Sequence, residues 1–218
     1  MATENGMDEF YEKTKDERPH KNVVWFVKNQ KNPGVAVDLG CGAGRDSILL
    51  LQNGWTVHSF DLNDNEHFFE ERLTEDEKKR FTFHQVSHQD AVIPKCDLVI
   101  ANFSMQYLTK EEFKDVIDKI HKSLNPSGHF LAILWGDKDQ WAQDAKGKAF
   151  LSKDELEKEI KDKFNIEFCE EWTKNNLTIG DGTTKFGHMI SLIAECKDKD
   201  LTKTKVEKEE ERWATKLK

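Results

Sequence analysis

The stretch "VAVDLGCGAGRDS" at residues 35–47 restricts the possible folds more than any other part of the chain. An apolar, β-rich run ends at Asp38 and opens into glycines at positions 40, 42 and 44, and the segment "GRDSILLLQNG" then carries a helical pattern closed by a glycine. A glycine turn between a strand and its helix puts backbone N–H groups at the carboxyl edge of a parallel sheet. Open α/β sheets bind their ligands there.

Downstream, short β-rich runs alternate with charged amphipathic segments, which is the signature of parallel strands with crossover helices. The expected strands are "VAVDL", "TVHSFDL", "FTFHQV", "CDLVIAN" and "GHFLAILW". The helical segments between them include "NEHFFEERLTEDEKKR" and "TKEEFKDVIDKIHKSLNPSG", the latter opening on a capping box at Thr109 and Glu112. Five βα units thus fill residues 35 to about 136. A further capped helix, "SKDELEKEIKDKF" with Ser152 and Glu155, precedes two strands, "NIEFCEEW" and "GHMISLIAEC". The turn-rich "TKNNLTIGDGTTKF" joins them without a crossover helix, so they pair antiparallel or lie apart. The expected fold class is α/β, with a doubly wound, mostly parallel, seven-stranded sheet and one antiparallel strand near the C-terminus.

Residues 1–34 carry two short helical patterns, "MDEFYEKTKDE" and "HKNVVWFVKNQ", stopped by Asn32-Pro33-Gly34. They read as a helical lid segment, residues 35–197 as the main domain and residues 198–218 as a charged tail. For the tail, a helix docked by Trp213 and disorder fit equally well. No apolar run is long enough to span a membrane, and the N-terminus is too polar for a signal peptide, so a soluble, cytoplasmic protein is expected. The four cysteines are dispersed without a CxxC pair and read as buried, reduced thiols. A net charge of −8 opposes a broad grip on nucleic acid and suits a small partner, neutral or cationic.

The dinucleotide fingerprint G-x-G-x-x-G wants a glycine at position 45, which here is Arg45. Asp38, two residues ahead of the first glycine, would repel a pyrophosphate and attract a cation. Asp61 ends the next strand about twenty residues on, the separation at which an acid accepts hydrogen bonds from ribose hydroxyls. A ligand joining a ribose to a cationic group satisfies both acids, and S-adenosylmethionine is such a ligand.

These residues resemble the nucleoside-binding motifs of the class I S-adenosylmethionine-dependent methyltransferases, which share a Rossmann-like fold. "HQDAV", "CDLVIANFSMQYL" and "HKSLNPSGHFLAI" continue the resemblance in order, and "GAGRDSILLLQNGWTVHSFDLN" is similar to the tellurite-resistance and thiopurine type within that class. The resemblance implies that Asp38 holds the methionine ammonium directly or through water, and that Gly40, Cys41 and Gly42 line the methionine end. It further implies that Asp61 binds the ribose, Leu62 packs on the adenine, Asp90 and Ala91 meet the adenine edge, and Asn102 with Phe103 floors the pocket near the methyl group. The implied activity is methyl transfer to a small-molecule acceptor. A protein acceptor is the alternative within that chemistry, a non-catalytic cofactor-binding module the alternative outside it, and a dinucleotide oxidoreductase is disfavoured by Asp38 and Arg45.

His84 and His88 have i, i+4 spacing without a third ligand in a recognisable pattern, so no metal is expected. The loop after the fourth strand reads "NFSM" where base- and glutamine-modifying relatives have an N-P-P-Y type of motif. Methyl transfer from a sulfonium demands no fixed catalytic residue. If the acceptor must lose a proton, Tyr11, Tyr107, Asp137 and His188 are the candidate bases. Trp135 and Trp141 follow the fifth strand, where an acceptor would lie, and a core or lid role fits them equally.

Overall fold

The computed structural model describes residues 4–30, 32–180 and 182–197. The expectation for the tail, residues 198–218, lies outside the described residues. Two helices come first, α1 (Glu4–Thr14) and α2 (Lys21–Asn29), and then β1 (Val35–Leu39), α3 (Arg45–Gln52) and β2 (Thr56–Asp61). Two short helices, α4 (His67–Glu70) and α5 (Glu75–Lys78), lead to β3 (Phe81–Gln85) and β4 (Cys96–Asn102). The chain continues through α6 (Lys110–Ser123), β5 (Leu124–Trp135), α7 (Lys153–Ile160), β6 (Phe164–Thr178) and β7 (Thr184–Cys196).

The seven strands form one sheet in the order β3-β2-β1-β4-β5-β7-β6. β1 to β5 pair in parallel, and β7 runs antiparallel to both β5 and β6, so β7 alone is reversed. Central strands are covered on both faces, which is why they read as continuous apolar runs. One core packs strand residues Val37, Val99, Phe130 and Leu192 against Phe113, Val116, Ile117 and Ile120 of α6 and Leu156 and Ile160 of α7. The other packs Ala36, Leu98 and Leu131 against Val23 and Phe26 of α2 and Leu50 and Leu51 of α3. Strand order reverses between β1 and β4, and the crevice above that switch point is where such sheets take ligands.

Both capping boxes form as expected. Glu112 N–H donates to Thr109 Oγ1 at 3.2 Å while the Glu112 carboxylate accepts from Thr109 N at 2.7 Å, and Ser152 and Glu155 repeat the exchange.

Two expectations are corrected. "NEHFFEERLTEDEKKR" is not one helix: the chain leaves α4 with Phe69 and Leu73 anchored in the core, and Thr74 starts α5 with a capping box of its own to Glu77. The "TKNNLTIGDGTTKF" linker is mostly strand. β6 and β7 continue pairing through it, to Leu177↔Lys185 and Thr178↔Thr184, with a register slip between Lys174 and Leu177 where Asn176 takes a φ of 50°. The long hairpin reaches across to the N-terminal helix. A Cβ on Gly180 at its tip would lie 2.2 Å from Thr14 Cγ2 and 3.2 Å from the Phe10 ring, so only a glycine allows that approach.

Candidate functional site

The glycine turn is held from three sides. Gly40 has a φ of 76°, and a Cβ there would sit 2.3 Å from Ser104 Cβ, whose hydroxyl donates to the Leu39 carbonyl at 2.6 Å. Gly42 has a φ of 53°, and a Cβ there would come within 3.1 Å of the Tyr11 ring from α1. Neither position accepts a side chain without strain. Asp61 completes the clamp: one carboxylate oxygen accepts from Gly42 N at 2.9 Å and the other from Asn63 N at 3.0 Å.

Asp38 ends the apolar strand as expected, but its carboxyl lies beneath the first turn of α3, where it accepts from Ser47 Oγ at 2.6 Å. Burial, together with the nearby Asp46 charge, pushes it up to about 8. Asp46 is also buried, and burial alone would raise it. The His20 charge and hydrogen bonds from His20 and Asn102 outweigh that effect and hold it below the usual carboxylate range. One Asp46 oxygen accepts from His20 N at 2.8 Å, and the other meets His20 Nδ1 at 2.6 Å and Asn102 Nδ2 at 2.8 Å. Asn22 Nδ2 donates to Asn102 Oδ1 at 2.8 Å, and Arg45 Nη2 lies 2.6 Å from His20 Nε2 while Nη1 pairs with Glu17. This network ties the N-terminal segment to α3 and to the end of β4. Sequence reading missed His20, Asn22 and Asp46, whose partners are up to 80 residues away.

Three side chains around the turn hold inaccessible polar atoms with no hydrogen-bond partner among the described residues: both amide atoms of Asn65, Nε2 of His88 and Oε1 of Gln106. His88 bonds the Leu39 carbonyl through its other nitrogen, and burial lowers its pKa, so the free Nε2 is an acceptor. Its Cε1 lies 3.4 Å from where a Gly40 Cβ would be. Gln106 Nε2 donates to the Phe103 carbonyl at 2.7 Å, and its Oε1 has no partner among the described residues. Buried polar atoms are rarely left in this state, because each costs the desolvation it does not recover. Asp38, kept largely protonated at neutral pH by burial, adds charge only beside a cation, and with the Asp61 carboxylate and these atoms the crevice is rich in acceptors. It is suited to a ligand that brings donors and positive charge.

The other expected positions are distributed more widely. Leu62 is 69% exposed beside Asp61, an apolar side chain open to solvent at the crevice rim. Ala91 is buried in the α6-side core, whereas Asp90 is exposed and accepts from Ser87 Oγ at 2.8 Å. Cys41 stands in the turn, its thiol pushed well up by burial. Phe103 takes a φ of 53°, which aims its ring between His20 at 5.4 Å and Trp135 at 4.7 Å.

Of the four candidate bases, Tyr11 lies over the turn and accepts from Asn63 Nδ2 at 3.2 Å, with its phenol raised chiefly by burial. Burial raises Tyr107 as well. His188 is fully buried with both nitrogens engaged, Nε2 with Glu171 at 2.9 Å and Nδ1 with Lys138 N at 3.1 Å. Asp137 stands 3.4 Å from that same Nδ1, so these two groups form a separate cluster behind β5 and β7.

Past Phe103 the crevice turns aromatic. Trp135, at the end of β5, meets Trp141 at 5.6 Å, and the Lys185 ammonium lies 3.6 Å and 4.1 Å from the centres of the two indoles. Lys185 and Asp139 are a buried ion pair, and Asp139 also accepts from Trp141 N at 3.0 Å and His188 N at 3.0 Å.

Among the described residues no group of three or more His, Cys, Asp or Glu side chains is placed to hold a metal ion. The residues present do fit S-adenosylmethionine: unpaired acceptors and two acids border a turn whose backbone admits close approach.

Residues 3–187 match the family described as tellurite resistance protein TehB. The chain is 25% identical over 188 residues to a probable S-adenosyl-L-methionine-dependent methyltransferase TehB of Haemophilus influenzae strain Rd, covering 84% of this chain and 65% of that protein. A protein of the same description from strain 10810 is 24% identical over 164 residues, covering 73% and 57%. The chain therefore spans less than two thirds of the length of these relatives. The crystal structure of TehB from Haemophilus influenzae superposes with a TM-score of 0.68 at 23% identity, covering 87% of this chain and 66% of that one. A Burkholderia thailandensis 1,6-didemethyltoxoflavin-N1-methyltransferase with bound 1,6-didemethyltoxoflavin and S-adenosylhomocysteine superposes at 0.62 and 17% identity, covering 82% and 78%. The fold is the Rossmann-like methyltransferase fold expected from the sequence. The chain belongs to the TehB family.

Proposed function

We propose that this TehB-family chain is an S-adenosylmethionine-dependent methyltransferase acting on a small-molecule acceptor, with residues 1–34 serving as a lid. The observation that carries this reading is the convergence on the glycine turn of acceptors without a partner among the described residues, Asn65 Oδ1, His88 Nε2 and Gln106 Oε1, beside Asp38 and Asp61. A sulfonium, an ammonium and ribose hydroxyls supply the donors and the positive charge that such a crevice lacks. The curated relatives' descriptions point the same way.

When bound, the cofactor supplies a methyl group on an already activated leaving group. The protein's part is then alignment and exclusion of water. Asp61 orients the nucleoside, Asp38 compensates the cationic end, and Asn102, fixed by Asp46 and Asn22, keeps the floor in place. Tyr11 and the hairpin tip packed on α1 roof the crevice, which favours a small acceptor over a protein chain. A net charge of −8 disfavours a polyanionic acceptor, and four cysteines outside any disulfide suit a reducing cytoplasm.

Incubation with S-adenosylmethionine and a panel of small thiols, amines, carboxylates and chalcogen anions should yield S-adenosylhomocysteine with at least one of them. Cofactor binding without turnover on any acceptor would favour a non-catalytic binding module. Deleting residues 1–20 should weaken cofactor affinity and turnover together, and unchanged values would remove the lid.

A further inference from the structure

β6 is an edge of the sheet, paired on one side with β7 and, among the described residues, with no strand on the other. Its ladder with β7 slips between Ile166 and Phe168 and again between Lys174 and Leu177, and residues 168–174 between those slips pair in unbroken register. We propose that this rim is a dimer interface: residues 168–174 of a second copy of the chain add to it antiparallel, about a two-fold axis through Trp172.

Successive side chains of a strand point to opposite faces, so Phe168, Glu170, Trp172 and Lys174 share one face of β6. Two of them are large apolar groups left open, Phe168 at 39% exposure and Trp172 at 42%. The charges on the strand divide in the same way. Glu167 meets His129, and Glu171 meets His188 and Lys138, all inside the chain. Glu170 and Lys174 have no ion pair among the described residues, although they stand on the same face to either side of Trp172. Open edges are ordinarily blunted by charges that no neighbouring strand can match. These two charges match each other, once the strand is reversed.

Charge also selects the register. A sheet continued across a two-fold axis normal to it sets residues of the same face opposite each other, so the axis passes through a residue. An axis at Glu170 or at Glu171 brings that carboxylate onto its own copy, and like charges directly opposite are destabilising. An axis at Thr173 carries Glu170 to Asn176, past the second slip. With the axis at Trp172, each Glu170 faces the partner's Lys174, and the two indoles meet between the two ion pairs. The contact is short, so the dimer belongs to the weak, exchanging class of interfaces.

Sedimentation equilibrium of the full chain from about 1 μM to about 1 mM, a range that brackets weak interfaces, should show monomers in exchange with dimers. Lys174→Glu and Glu170→Lys should each weaken the dimer by about tenfold, because each variant sets like charges opposite each other twice. The double variant, Glu170→Lys with Lys174→Glu, should regain most of the loss, which a merely misfolded single variant would not allow. Under mild oxidation Trp172→Cys should form a disulfide-linked dimer beyond the wild-type background, since facing Cα atoms lie about 4.5–5.5 Å apart. Glu170→Cys should not, because its two copies would be roughly 14 Å apart along the strands. A monomer at the highest concentration, a double variant no better than the single ones, or cross-linking through position 170 in place of 172 would overturn the proposal.

Discussion

Substituting Asp38 with asparagine should change the pH dependence of cofactor binding in a way that can be worked from the structure. The Asp38 carboxyl is buried, bonded to Ser47 and close to Asp46, and it is pushed up to about 8. At pH 7 such a group is largely protonated in the free protein. A cationic ligand favours its charged form, so each ligand bound at pH 7 should expel up to about one proton. Between pH 5.5 and 7 the affinity should therefore rise about tenfold per pH unit. That window also lies below the roughly 7.7–8.0 at which the ligand's own amino group titrates. Asp46 does not contribute, because His20 and Asn102 keep it ionised throughout. The assay is titration calorimetry with S-adenosylmethionine in two buffers of different ionisation enthalpy, whose difference reports the protons released. Asp38→Asn should bind more weakly, with no proton release and a flat profile over the same window. Wild-type binding without proton release, or a slope that survives in Asp38→Asn, would refute the charge compensation assigned to this residue.

The same carboxyl bears on stability with a definite sign. Its folded pKa exceeds the unfolded value of 3.8, so its contribution is complete below pH 3.8 and is lost as pH rises toward about 8. Urea midpoints of the ligand-free wild type should fall relative to Asp38→Asn from pH 5 to 8, with a slope of up to about 1.4 kcal/mol per pH unit. Lys185→Met should destabilise by about 3–5 kcal/mol, because Asp139 is left charged and buried, and Lys185→Met with Asp139→Leu should recover part of that loss in a double-mutant cycle read by urea denaturation. Thr109→Ala removes one half of the α6 capping box and should cost about 1 kcal/mol in the same assay, leaving cofactor affinity intact.

What was legible in the sequence was local. The glycine turn, the two capping boxes at Thr109 and Ser152 and the strand runs depend on residues within a few positions of each other, and they occur in the structure as read. The break between α4 and α5 had a local signal too, the Thr74-to-Glu77 box, but a continuous charged helix fitted the same letters. The hairpin of β6 and β7 was hidden because its residues are exposed and rich in Asn, Gly and Thr, so turn chemistry outweighed a strand pattern that only pairing with β7 enforces. The His20, Asp46, Asn102 and Asn22 network is set by tertiary contacts and leaves no periodic trace. His88, read only as half of a metal spacing, reaches the turn because the loop after β3 folds back over Leu39.

The account stands on the claim that an acceptor-rich crevice takes a cationic adenosine ligand. Direct calorimetric comparison of S-adenosylmethionine with NAD on the full chain tests it most plainly. S-adenosylmethionine should bind at least tenfold more tightly than NAD, and an equal or greater affinity for NAD would contradict it.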